Sequence, residues 1–211
     1  MMDTLKTQGI IAERVFALLF SNTSFTKDQN DTYSECIIGQ EASDYMSNSL
    51  LSIPTLDTAN SWAVNLPTVY LGLINLTIST HIASFDSNLD LIHVPNTDFL
   101  ALIEGFSAYG SCKSTTNSIV CDCFRYPAAS YPDLTLTLGD YNLTWTYEDY
   151  FKQENGECVL LVERDLGLQR WALGTVWMRN RVLVFDVEGR KVGFGQAAAA
   201  IMSLAICFLC F

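Results

Sequence analysis

At 211 residues, with 49% hydrophobic and 17% charged side chains, the chain is long enough for one sizeable core and too apolar to remain disordered. Its net charge is −11, and no Lys or Arg occurs between Lys27 and Lys113. A stretch that long without a cation cannot line a phosphate backbone, so nucleic acid is excluded as a partner class.

The opening residues, 3 to 20, read as a helix or helix–strand segment interrupted at Gly9 and followed by the apolar run Val15 to Phe20. They carry acidic residues and no uninterrupted apolar core, which is not the pattern of a secretory leader. Asn22 to Tyr33 is polar and rich in turn formers, hence a surface loop. Short apolar segments follow at Cys36–Ile38, Leu50–Ile53, Trp62–Leu66, Val69–Leu73 and Leu76–Ile78, and the turn signals between them predict β-sheet. Asn96 to Phe106, with apolar residues at 99, 100, 103 and 106, predicts an amphipathic helix capped by Asn96 or Thr97. Leu134–Leu138, Asn142–Thr146, Cys158–Val162, Trp171–Leu173, Val182–Asp186 and Lys191–Phe194 are again strand-like. Thr135, Thr137, Thr144 and Thr146 alternate with apolar partners there, giving one wet face and one buried face.

The last stretch, Ala197 to Phe211, is uncharged and strongly apolar, short for a spanning helix but membrane-seeking in character. Cys207 and Cys210 within it spell a redox spacing without strand–helix context, so acylation or inertness is the expectation. Seven cysteines and four Asn-x-Ser/Thr sequons, beginning at Asn22, Asn30, Asn75 and Asn142, point to the secretory route. Cys36 reads as a buried thiol, and Cys112 and Cys121 are spaced so that they could close a second small disulfide loop, a pairing the sequence leaves open. His81 and His93 read as structural or surface residues, because ligand spacing on a recognisable element is absent. Neither metal nor cofactor is expected. The four tryptophans, Trp62, Trp145, Trp171 and Trp177, are core or cleft-wall candidates.

The segment from Trp171-Ala-Leu-Gly174 through Trp177 and Arg179 to Val184-Phe-Asp186 and Val192-Gly-Phe194 resembles the closing segment of pepsin-like aspartic proteases. Upstream, Tyr131-Pro-Asp-Leu-Thr resembles that family's Leu-Pro-x-Ile strand, and Tyr141-Asn-Leu-Thr the hairpin after it. Gly9-Ile-Ile and Cys36-Ile-Ile-Gly39 resemble segments nearer the middle of the family's chain. The likeness covers residues 3 to 194. It implies a mostly β, pepsin-like C-terminal lobe with short helices and an apolar tail. The implied division is 1–30 as the end of the N-terminal half with its connecting segment, 31–196 as the lobe and 197–211 as the tail. It also implies a disulfide between Cys123 and Cys158.

The family's catalytic loop reads Ala-x-x-Asp-Thr/Ser-Gly-Thr/Ser-Ser, and this chain reads Ala83-Ser-Phe-Asp-Ser-Asn-Leu-Asp90. Asp86 falls on the catalytic aspartate and Ser87 on the hydroxyl residue after it. Gly174 falls on the glycine that supports the loop. Asn88, Leu89 and Asp90 depart from the pattern. In this chemistry two aspartates share one proton, one activating a water and the other polarising the peptide carbonyl. Asp3, Asp31 and Asp57 each lack the glycine that a second motif would carry, and the family's substrate-covering hairpin would precede residue 1. The resemblance therefore implies an aspartic endopeptidase acting on peptides or proteins, of which this chain alone is inactive without an N-terminal lobe. The alternatives are a non-catalytic lobe that binds extended chains, or a truncated gene product. The implied location is the secretory pathway, lysosome-like or membrane-associated through residues 197–211.

Overall fold

A computed structural model describes residues 1–20, 34–56 and 61–198. In chain order it begins with α1 (Met2–Thr7), β1 (Val15–Phe20), β2 (Ser34–Ile38), β3 (Leu51–Pro54) and β4 (Ala63–Asn65). Next come β5 (Val69–Leu71), β6 (Ile74–Leu76), β7 (Ile82–Phe85), β8 (Ile92–Val94) and α2 (Asn96–Ser107). After these stand β9 (Cys112–Ser114), β10 (Ser118–Asp122), β11 (Leu134–Leu138), β12 (Tyr141–Trp145) and α3 (Tyr147–Tyr150). The chain continues through β13 (Phe151–Glu154), β14 (Glu157–Arg164), β15 (Trp171–Leu173), α4 (Thr175–Met178), β16 (Arg181–Asp186) and β17 (Lys191–Gln196). The fold is mostly β, as expected. The expected loop from Asn22 to Tyr33, and the tail beyond residue 198, lie outside the described residues. Among the described residues no helix is long and apolar enough to cross a membrane.

The chain divides into two compact units, residues 1–55 with 178–211, and residues 56–177. The first holds a five-stranded antiparallel sheet in the order β2-β1-β16-β17-β3. Alternation along β1 sends Val15, Ala17 and Leu19 to one face, where they meet Ile37, Val182 and Val184 in a core that Met46 and Leu50 cover. On the other face Phe16 stacks on Phe185 with ring centroids 4.7 Å apart. Helix α1 is tied to the rest by Lys6 on Glu188 at 2.6 Å, while Arg14 bridges Glu188 and Asp3. The Lys6 hydrogen bond holds the Glu188 carboxyl below its ordinary range.

The same alternation corrects one sequence expectation. Cys36 is exposed, because Ile37 takes the inward position on β2 and turns its neighbour outward.

The second unit holds two sheets. The larger runs β4-β7-β15-β8-β14-β10-β9, with β13 also paired to β14. Two of its contacts are parallel, β15 with β7 and β14 with β8. The smaller sheet runs β12-β11-β5-β6 and is antiparallel throughout. Its inner face is formed by Val69, Leu71, Leu76, Leu134, Leu136, Leu138, Leu143 and Trp145, all buried. The threonines expected on a wet face occupy the opposite side, Thr135 bonded to Thr144 at 3.0 Å and Thr68 to Thr137 at 2.7 Å.

Helix α2 packs against β6, β9 and β14. Its position matches expectation, but its cap and face do not. The residue before it is Pro95, and no side chain caps it. The buried face is Asp98, Phe99, Leu102, Gly105 and Phe106, whereas Leu100 is exposed. Residues 98, 99, 102, 105 and 106 share one arc of the helix, and Leu100 lies about 100° beyond its Phe99 edge, toward solvent. Two disulfides close in this unit: Cys123 to Cys158, as the resemblance implied, and Cys112 to Cys121, a pairing that the sequence had left open.

Candidate active site

Asp86 stands one residue beyond β7, where the strand leaves the larger sheet. The parallel register Trp171↔Ala83, Ala172↔Ser84 and Leu173↔Phe85 lays β15 beside β7, and Ala172 also pairs with His93 of β8. The segment from 86 to 91 therefore leaves one neighbour of β15 and returns as the other. Asp86 donates its backbone N–H to the Leu173 carbonyl at 3.1 Å, which fixes where the loop departs.

The loop itself is a tight turn. Leu89 donates its N–H to the Asp86 carbonyl at 3.3 Å, and Asn88 donates its own to Oδ1 of Asp86 at 3.0 Å. The second bond orients the carboxylate from the backbone. Among the described residues the left-handed non-glycine ones are Ala42, Asn155, Asn180 and Arg190, and Asn88 is not one of them. The turn therefore needs no left-handed backbone at Asn88, the conformation for which glycine would be favoured. Asp86 is half-buried, and Ser87, Asn88 and Asp90 are exposed. Leu89 has no hydroxyl to donate to the carboxylate, and Asp90 adds a second negative charge four residues on.

Support comes from below. Thr175 donates its N–H to the Leu89 carbonyl at 2.7 Å, and Val176 donates to that of Asp90 at 3.0 Å. Gly174 lies so close under the loop that a Cβ there would sit 2.5 Å from the Leu89 carbonyl oxygen and nearer still to that of Leu91. Only glycine fits. Phe85 packs on Trp177 at 5.4 Å between ring centroids, and Trp177 on Trp145 at 5.0 Å, giving the loop an aromatic floor.

A second polar cluster was not read from the sequence. Asp98 is fully buried, and its Oδ1 accepts from the Ser79 N–H at 2.6 Å and the Ser79 hydroxyl at 2.7 Å. Its Oδ2 accepts from the Trp171 indole N–H at 2.7 Å. The cluster ties α2 to β15, the strand on which the Asp86 loop rests. One signal was available: Asp98 shares the 98, 102, 105 and 106 helix face with buried residues. A concavity of about 430 Å³ beside it, lined by Ser79, Thr80, His81, Ile82, Pro95 and Leu168, does not include Asp86. His81 points Nδ1 at the Leu66 carbonyl at 3.3 Å, and His93 lies 3.9 Å from Glu163.

The family model for eukaryotic aspartyl proteases matches residues 1–197. The chain belongs to that family. Over 195 residues it is 27% identical to a vacuolar aspartic protease of Candida albicans, covering 88% of this chain and 43% of that protein. Over 198 residues it is 26% identical to vacuolar protease A of Neurospora crassa, covering 90% and 46% respectively. Pepsin A of Gallus gallus is 24% identical over 203 residues, covering 90% and 49%. The chain thus spans about half the length of the curated relatives it matches. The matched region contains the Asp86 loop, the Gly174 support and both disulfides.

Proposed function

We propose that this chain is the second-lobe half of an aspartic endopeptidase fold, contributing Asp86 as one of two catalytic aspartates and hydrolysing no peptide bond alone. The observation that carries the reading is the loop geometry. A half-buried carboxylate is oriented by a backbone N–H at the end of a central strand, above a glycine that no other residue can replace.

The chemistry needs a water held between two carboxylates, one ionised and one protonated, because neighbouring like charges do not both ionise. Asp86 supplies one oxygen pair for that water. Asn88 N–H withdraws charge from Oδ1 and leaves Oδ2 as the face for water. A single aspartate can polarise a water but has no partner to protonate the departing amine or to hydrogen-bond the carbonyl. The second aspartate would come from an N-terminal lobe.

The departures at Asn88, Leu89 and Asp90 favour a second reading, a lobe that binds extended peptides without cutting them. Leu89 removes a hydroxyl donor, and Asn88 brings a side chain where the family pattern has glycine. The vacuolar and pepsin relatives, with the two disulfides, support a secretory or vacuolar location for this chain.

The test is incubation of the folded chain and Asp86→Ala with a broad peptide library from about pH 3 to about pH 6, the range in which an aspartate pair shares a proton. Retention of library peptides without products supports the binding reading. Products absent from Asp86→Ala would show a second aspartate in place.

A further inference from the structure

Two of the four sequons lie on the smaller sheet of the second unit, at positions that its topology makes equivalent. Asn75 is in β6 and Asn142 in β12, and these are the two edge strands of the order β12-β11-β5-β6. The register places both on one face. Asn75 is opposite Tyr70, Tyr70 opposite Thr135 and Thr135 opposite Thr144, while Asn142 is opposite Thr137. Residues directly opposite in antiparallel pairs, and residues two apart in one strand, share a face. That face is the threonine-rich one. In each sequon the middle residue, Leu76 or Leu143, is buried, whereas Asn75, Thr77, Asn142 and Thr144 are exposed. The Thr137 hydroxyl donates to Oδ1 of Asn142 at 2.8 Å, a bond that leaves Nδ2 out.

We propose that Asn75 and Asn142 are both N-glycosylated, one on each edge of this sheet and on the same face, and that the glycans block edge-to-edge pairing with a second chain. An edge strand offers unpaired N–H and C=O groups that template association, and natural sheets cover such edges with charge, bulges or bulk. Neither β6 nor β12 carries Lys, Arg, Asp, Glu or Pro. In the modification, Nδ2 attacks C1 of the sugar on a lipid-pyrophosphate-linked oligosaccharide. The Nδ2–C1 bond forms, the C1–O bond to pyrophosphate breaks, and the lipid pyrophosphate leaves with that electron pair while the amide nitrogen gives up one proton. Exposure of both Asn and Thr lets the folded sheet keep the product. The inference rests on the secretory or vacuolar reading, since the transferase acts only there.

The experiment is secretion of the full chain from a eukaryotic host, chymotryptic mapping and glycosidase release in heavy-oxygen water. Chymotrypsin is required because no Lys or Arg separates Asn30 from Asn75. The expected result is two sheet glycopeptides, the first lost in Thr77→Ala and the second in both Thr144→Ala and Asn142→Gln. Trimming the folded wild-type chain with an endoglycosidase, which needs no mutation, is expected to shift its elution toward larger species. Unmodified Asn75 and Asn142 peptides from a chain whose Cys123–Cys158 bridge has formed would overturn the inference and leave the location reading intact. A secreted chain with that bridge reduced would overturn both. Glycans whose trimming leaves the chain monodisperse would overturn the edge-blocking role.

Discussion

Trp171 donates its indole N–H to Oδ2 of Asp98 at 2.7 Å, and both side chains are fully buried. The pair links helix α2 to β15, the strand that leads into Gly174. Asp98 also accepts two bonds from Ser79, but Ser79 is exposed and its donors can turn to water, so replacing Asp98 with alanine strands only the buried Trp171 indole N–H. We expect Asp98→Ala to cost about 1–3 kcal/mol of stability, measured by urea unfolding followed through tryptophan fluorescence. Asp98→Asn keeps one acceptor oxygen and is expected to lose less. A cost for Asp98→Ala within the error of unfolding curves would remove the cluster from any structural role.

Gly174→Ala forces a methyl group against the carbonyls of Leu89 and Leu91, which are backbone and cannot rotate away. The expected loss is about 2–3 kcal/mol, the upper part of the overpacking range. Protection of the Thr175 and Val176 amides should fall as well, because both donate to the displaced loop. Hydrogen exchange reads that change residue by residue. Unaltered protection would mean that the loop does not rest on this glycine.

The bridge from Cys123 to Cys158 closes a separation of 35 residues that includes the hairpin β11–β12 and helix α3. Removing it as the double serine variant should cost about 2–5 kcal/mol, with most of the loss acting through the unfolded chain. Cys112 to Cys121 closes only 9 residues and should matter less. Thermal unfolding of the two double variants side by side tests the order.

Tyr150 is buried and donates its hydroxyl to the Pro132 carbonyl at 2.6 Å. Burial first, then the Asp133 carboxylate and Tyr131, push its phenol well above the ordinary tyrosine range. A raised pKa makes the neutral form the one that the fold prefers. Its contribution is complete below the ordinary value of about 10 and is lost as pH rises toward the folded value. An ultraviolet titration should therefore show one tyrosine fewer ionising before alkaline unfolding in wild type than in the unfolded chain. Tyr150→Phe should remove that difference and cost about 1 kcal/mol at neutral pH.

Much of the architecture was legible where alternation was local. Thr135 and Thr137 alternating with Leu134, Leu136 and Leu138 predicted β11 with its correct faces, and Trp171–Leu173 was placed to the residue. Strands β7, β8, β9, β10 and β13 were not predicted. The first three have only three or four residues each, and β7 and β8 are defined by parallel or distant partners such as β15 and β14. A period cannot be read from so few positions. Asp98 escaped for a related reason: an acid in the first turn of a helix normally signals favourable interaction with the helix dipole in solvent. Only the tertiary pairing with Ser79 and Trp171 shows it turned inward. The loop around Asp86 was found through its flanks, Ala83 and the Trp171–Gly174 segment, since three of its own positions had changed.

The most direct test of the central claim is a concentration series of the folded chain against the peptide library at acidic pH, with and without an aspartic-protease transition-state inhibitor. The account predicts no products above the Asp86→Ala background at any protein concentration, because one aspartate cannot complete the proton-sharing pair. Inhibitor-sensitive cleavage that disappears in Asp86→Ala would contradict it, and a rate rising with the square of concentration would identify a second copy of Asp86 as the missing partner.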